Sequence, residues 1–289
     1  MKDILMLVSV LFLVTPLCAF ALEPAQAKGK LVVNGKTVQI SSASALLHDN
    51  AEKILDTPKE LRILLTDREV PESALSGLVF LEVDQMAKEG QVQGLLLKLD
   101  PNDLSKVLVT LLYKPADPNS FLMTQTLSSS KKDIIRNFRM ASGVVSGEIE
   151  HHDEGDPSFE SMPKIDYSIK FKAQIANAPA ITADLKGKEA QQSPQVAALR
   201  KKADAMSKGD MKAAMQFSSS RSNKAVEGFL SQAGPEAVKY MKEGGVEMKK
   251  EIKKIKRVVV RGERAVAIFE GNNQWAKFVK EDGEWKSDD

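Results

Sequence analysis

Residues 183–206 read "ADLKGKEAQQSPQVAALRKKADAM", and the spacing of apolar positions changes inside this stretch. Residues 183–195 are polar, lack a period and end in Ser-Pro, which reads as a linker. Ser193 then suits a helix N-cap, with Pro194 at the first helical position. Beyond it, Val196, Leu199, Ala203 and Met206 recur at three- and four-residue steps and form one apolar helix face. The chain therefore divides here, into residues 22–182 and residues 196–289.

Upstream of the division the pattern belongs to strands. "KLVVNGKTVQI" at 30–40 places two β-rich runs around Asn34-Gly35, whose tolerance of positive φ suits a two-residue hairpin turn. Further strands are expected at 61–67, 92–100, 106–114, 121–127, 138–150 and 166–175. Turn chemistry separates them at Asp67–Pro71, Asp100-Pro101-Asn102 and Pro115–Asn119. "PESALSGLVFLEVDQMAKEG" at 71–90 breaks the rhythm, and Leu75, Leu78, Phe80, Leu81 and Met86 fit a short helix. Seven or eight short strands with regular turns predict an all-β antiparallel sandwich.

Downstream, Gly209-Asp210 interrupts the first helix and "MKAAMQF" starts a second. "NKAVEGFLSQAGPEAVKYMKEGG" supplies one or two more, stopping at Gly244-Gly245. The chain then returns to strands, "EIKKIKRVVV" and "RAVAIFEG" around Arg261-Gly262-Glu263, then "QWAKFVK" and "EWKSDD" around Glu281-Asp282-Gly283. Helices followed by an antiparallel sheet make an α+β domain.

The first 21 residues read as a signal peptide. "ILMLVSVLFLVTPL" is too short and too early to span a bilayer, and Ala19 and Ala21 supply small residues before a cleavage point at Leu22. The single cysteine, Cys18, falls inside this leader. Disulfides, thiol catalysis and thiolate metal sites are thereby excluded from residues 22–289. A hydrophobic share of 43% supports packed cores and argues against disorder. The formal net charge of +2 is unevenly spread. Residues 186–289 carry 22 basic against 15 acidic side chains, and the preceding residues 19 against 24. The reading is an exported protein, periplasmic or secreted, without a transmembrane segment once the leader is removed.

Two resemblances bear on the halves. "ALRKKADAMSKGDMKAAMQF", "VVVRGERAVAIFEG" and "WAKFVKEDGEWKSDD", spread over residues 193–289, resemble the nuclear transport factor 2-like superfamily and its small bacterial envelope members. That resemblance implies a cone of helices on a curved sheet, whose interior holds a ligand, hosts catalysis or is filled. "GKLVVNGKTVQI" and "LRILLTDREVP", within 29–180, are similar to secreted bacterial proteins of unknown function.

Candidate chemistry is sparse. In "EIEHHDEGD" (148–156), a strand would place Glu148, Glu150 and His152 on one face and His151 and Asp153 on the other. Imidazole and carboxylate suit zinc, so Glu150, His151, His152 and Asp153 are the metal candidates, and a solvated strand end is the plainer account. His48, the third histidine, sits in what reads as a polar loop, "LLHDNAEK". "MKKEIKKIKRVVVR" (248–261) lacks interleaved aromatics and so does not read as a nucleic-acid site; a lysine-protected edge strand accounts for it. Within the cone, inward strand positions are Val258, Val260, Phe269, Trp275 and Phe278, an apolar set suited to a filled core or a lipophilic pocket. No nucleotide-binding glycine loop, Walker motif, nucleophile elbow or zinc-helix motif is present, and no cofactor is implied. The function expected is a non-catalytic binding or interaction module whose partner is an envelope protein or a small apolar ligand. A metal-dependent hydrolase is the third reading.

Overall fold

The computed structural model describes residues 26–77, 81–115, 122–128, 134–152, 163–271 and 274–289. The leader, Asp153, the strand end at 155–157 and most of the 115–119 turn lie outside these residues. The chain is mostly β, with one large curled sheet and one small sheet.

The large sheet contains β1 (Gln26–Val33), β2 (Lys36–Ile40), β3 (Ser42–His48), β4 (Glu60–Thr66), β5 (Gly94–Asp100), β6 (Asp103–Leu112), β7 (Thr124–Ser128), β8 (Ile135–Ala141), β9 (Val144–His152) and β10 (Ile165–Asn177). Asn34 and Gly35 take φ of 50° and 77° at the first hairpin, as its Asn-Gly sequence predicts. Residues 138–150, expected as one strand, form a hairpin instead. Ser142 and Gly143 turn at positive φ, and β8 folds back along β9. β10 is the longest strand. It lies between β1 and β9, both antiparallel to it, and its last three residues run parallel to Ala45–Leu47 of β3.

Because side chains alternate along a strand, β3–β6 serve two cores. Leu61, Ile63, Leu65, Leu95, Leu97 and Leu99 join Leu31, Ile149, Tyr167 and Phe171 in the interior of the curl. Leu46, Leu64, Leu96 and Leu112 face the other way, beneath a 3₁₀ turn (Glu72–Leu75) and helix α1 (Glu82–Lys88), which contribute Leu75, Val83 and Ala87. That burial on both faces explains why these strands read as continuous apolar runs. Among the described residues, the short helix expected at 71–90 is thus a 3₁₀ turn plus α1; Leu78 and Phe80 lie outside those residues.

The small sheet has the order β11 (Ala183–Lys186), β12 (Ile255–Arg261), β13 (Arg264–Phe269), β14 (Trp275–Glu281), β15 (Glu284–Ser287). Helices α2 (Gly187–Gln191), α3 (Pro194–Lys208), α4 (Met211–Gln216) and α5 (Ser220–Glu251) accompany it. Residues 183–191, expected as linker, are β11 and α2. Asp184 and Leu185 find their ladder against Val259 and Val258, partners too distant in sequence for a local pattern to reveal. Ser193 caps α3, accepting from the Val196 N–H, and Gly209 ends it at φ 79°.

α5 runs 32 residues, through the Gly244-Gly245 stop expected from sequence. Packing overrides the glycine signal here. A Cβ on Gly245 would lie 2.5 Å from the Ser207 nitrogen and 2.6 Å from Met206 Cβ, so the absent side chain lets α5 close onto α3. Residues 248–254 are therefore helix and 3₁₀ turn, not edge strand. Lys250, Lys254 and Lys249 pair with Glu247, Glu251 and Asp204, and β12 lies inside the sheet. No helix among the described residues is long and apolar enough to cross a membrane.

Candidate functional site

The small sheet has two faces with different tasks. One buries Val258, Val260, Ala265, Ala267, Phe269, Ala276 and Phe278 against Val196, Leu199 and Ala203 of α3. Four of the residues expected to line a cone, Val258, Val260, Phe269 and Phe278, thus meet in a packed core. Trp275 lies outside that packed cluster, at an open pocket that it lines with Leu199, Met248, Phe269 and Ala276.

The other face, with Arg257, Val259 and Arg261 of β12 and Arg264 of β13, meets the large sheet. Facing it is the polar end of the α1 layer. The register sets His48 opposite Glu60, and Arg62 opposite both Leu46 and Lys98. Arg62 is fully buried; it donates to Glu60 at 2.7 Å and to the carbonyls of Leu75 and Gly77. Burial and the Arg62 charge push the Lys98 ammonium below its ordinary range, against the pull of Glu60 and Asp84.

The loop after β3 is shaped by Asn50, which takes φ 47°. Its amide donates to the Leu55 and Thr57 carbonyls at 2.8 and 2.6 Å and accepts from the Ile54 and Leu55 N–H groups. One buried side chain thus supplies the loop's hydrogen bonds and presents Glu52 to the small sheet. Arg261 donates to both Glu52 oxygens, to Asp49, and to the Pro179 carbonyl at 2.6 Å. Arg257 donates to the Ala51 and Glu52 carbonyls and holds Asp184 at 2.7 Å. Arg261 and Glu52 expose only 7% and 2% of their side chains, Asp49 57%. Burial works to raise the Asp49 carboxyl, but the Arg261 hydrogen bond and the Ala51 N–H hold it below its usual value. Burial opposes the Arg261 charge, and its two carboxylates nevertheless raise its pKa.

His48, expected in a polar loop, ends β3 with no accessible surface. Its Nδ1 accepts from the Asn50 N–H at 3.0 Å. Nε2 has no hydrogen-bond partner among the described residues. Burial first, then the Arg62 and Arg261 charges, bring its pKa down to about 4, against Glu52 and Asp49. A cavity of about 40 Å³ opens beside it, between the sheets, lined also by Val259, Arg261, Arg264, Val266, Lys277 and Phe278. Sequence reasoning missed this site because its halves lie 209 positions apart.

His48, Asp49 and Glu52 bring ligand atoms within 4.8 Å of one another, which raises a metal as an occupant. Two features oppose it. Arg261 already occupies oxygens of both carboxylates, and Nδ1, acting as acceptor, leaves the ring proton on Nε2, where a metal would need a lone pair. The sequence candidates are dispersed. Glu150 pairs with Arg136, His152 Nδ1 lies 2.7 Å from Asp166, and His151 stacks on Tyr167 with ring centroids 5.3 Å apart. Lys202 donates to Ser287 at 3.0 Å, a pairing that can activate a serine, and burial lowers the Lys202 pKa against the charges of Asp289 and Asp288. Both side chains are buried, so the bond ties α3 to β15 with no surface open to a substrate.

No protein-family model matches the chain, and no curated protein or solved structure matches it.

Proposed function

We propose that this protein is an exported component of the bacterial cell envelope that acts as a non-catalytic interaction module, with α5 as its contact element. The observation that carries the reading is where apolar surface remains exposed. Six large hydrophobic side chains are exposed among the described residues, and four of them, Phe229, Val238, Tyr240 and Val246, lie on α5. At about 100° per residue Phe229 and Tyr240 share one side of the helix, and apolar groups exposed on one side mark contact surfaces more often than scattered single residues do. The charged groups between the sheets favour the same reading, because Arg257 and Arg261 are taken up by Glu52, Asp49 and Asp184. A β-sandwich followed by a helix-and-sheet cone is our reading of the architecture, favoured by the shared interior of the large sheet and by helices on one face of the small one. The packing of Val258, Val260 and Phe278 against α3 weighs against an apolar-ligand carrier working at the centre of the small sheet.

The test is native mass spectrometry of the full-length protein from its own envelope fraction, beside a Phe229→Ser/Tyr240→Ser variant. A second chain at fixed stoichiometry, lost in the variant while its melting temperature holds, supports the proposal. A bare mass for the wild type, or a partner kept by the variant, counts against it.

A further inference from the structure

We infer that the cavity between the two sheets is a binding site for a small monocarboxylate of acetate size. This inference is independent of the α5 reading and uses a different surface.

The Asn50 N–H donates to His48 Nδ1, which fixes the neutral tautomer with its proton on Nε2. Nε2–H is therefore a donor, and it is buried without a protein acceptor among the described residues. Buried donors left unpaired are rare because burial removes the water that would satisfy them. An acceptor entering beside the ring meets that need. The depressed His48 pKa keeps this tautomer in place through neutral pH.

The walls specify the acceptor further. Three cationic side chains line the cavity, Arg261, Arg264 and Lys277, against two acidic ones, Glu52 and Asp288. The lining side chains balance to one positive charge; behind them Arg62 is paired with Glu60, and Arg261 and Arg264 also reach Asp49 and Glu82. Val259, Val266, Phe278 and Pro179 complete the lining with apolar surface. A negative head and a short apolar tail fit such walls, whereas a bare halide leaves the apolar side unmatched. A volume of about 40 Å³ holds about three water-sized groups, which suits a ligand of a few non-hydrogen atoms.

The experiment is a titration of full-length protein, labelled with ¹⁵N-histidine, with sodium acetate, and with sodium chloride at matched ionic strength. The chain has three histidines, so the His48 signals are assignable by substitution. Acetate is expected to move the His48 Nε2–H resonance along a saturable curve, with His151 and His152 unmoved and chloride without effect. Arg264→Gln, at a partly exposed position, is expected to weaken that curve about tenfold, and His48→Phe to abolish acetate-dependent thermal stabilisation. A linear response, an equal response to chloride, or unchanged affinity in Arg264→Gln overturns the proposal. If His48→Phe does not fold, the wild-type and Arg264→Gln titrations decide it alone.

Discussion

Replacing Arg261 by Met tests the account of how the two sheets are held together. The substitution keeps an unbranched stem of similar reach and removes the guanidinium. Glu52, with 2% of its side chain exposed, is left as a buried carboxylate without its bidentate partner. Breaking a buried pair from one side costs about 3–5 kcal/mol. Asp49 is 57% exposed and adds about 0–1 kcal/mol, since water screens it. The expected loss is therefore about 3–5 kcal/mol and comes almost wholly from Glu52, a large share of the ~5–15 kcal/mol typical of a folded chain. Arg261→Met/Glu52→Gln removes the stranded charge and is expected to recover about half the loss. Urea unfolding can localise the damage, because both tryptophans, Trp275 and Trp285, lie in the small sheet while far-UV circular dichroism reports both sheets. The variant is expected to show the fluorescence transition before the dichroism transition. A loss under about 1 kcal/mol, with the two transitions still coincident, would refute the reasoning that this buried pair joins the sheets.

Four further outcomes are expected. His48 has a folded pKa of about 4 against about 6.5 unfolded, so its neutral form contributes stability that is complete above pH 6.5. About 3 kcal/mol of it is lost as pH falls to 4; urea midpoints across that range should lose this slope in His48→Gln. Gly245→Ala should destabilise by about 1–3 kcal/mol through collision with α3, whereas Gly228→Ala, with open space around its Cβ, should stabilise by about 0.5–1 kcal/mol, and thermal melts would show the opposite signs. Ser193→Ala removes the α3 cap and should cost about 1 kcal/mol in the same assay. His151→Ala/His152→Ala should change stability by no more than about 0.5 kcal/mol, and a larger drop in the denaturation midpoint would mean that the 148–156 stretch holds more than surface pairs.

Local chemistry was legible in this sequence wherever one residue dictates backbone geometry. Asn34-Gly35, Ser193-Pro194, Gly209 and Asp282-Gly283 all do what their side chains predict. Elements that depend on distant partners were not legible. β3 carries serines among its apolar positions and gains its identity from β4 and β10; β11 gains its own from β12. The glycine pair in α5 is a stop signal by propensity and a close-contact device by packing, and only the position of α3 tells them apart. The same holds for the site. His48 is an ordinary loop histidine by its neighbours in sequence, and becomes a buried donor because strand register and Arg261 surround it. The histidine pair at 151–152 drew attention by composition, but adjacent strand positions diverge.

The placement of β10 also sets an order of events. β1 is made early, yet its inner neighbour is β10; Asn34 and Lys164, hydrogen-bonded at the strand ends, are 130 positions apart. β3 likewise waits for the end of β10. As the chain emerges, β3–β7 can form a local meander, but the curl cannot close until residue 177 is available. Closure over such separations is slow, and the open meander presents apolar faces and an unpaired edge in the meantime. The longest strand of the sheet is thus also its clock, and anything that delays its arrival lengthens the interval in which this chain can associate with copies of itself.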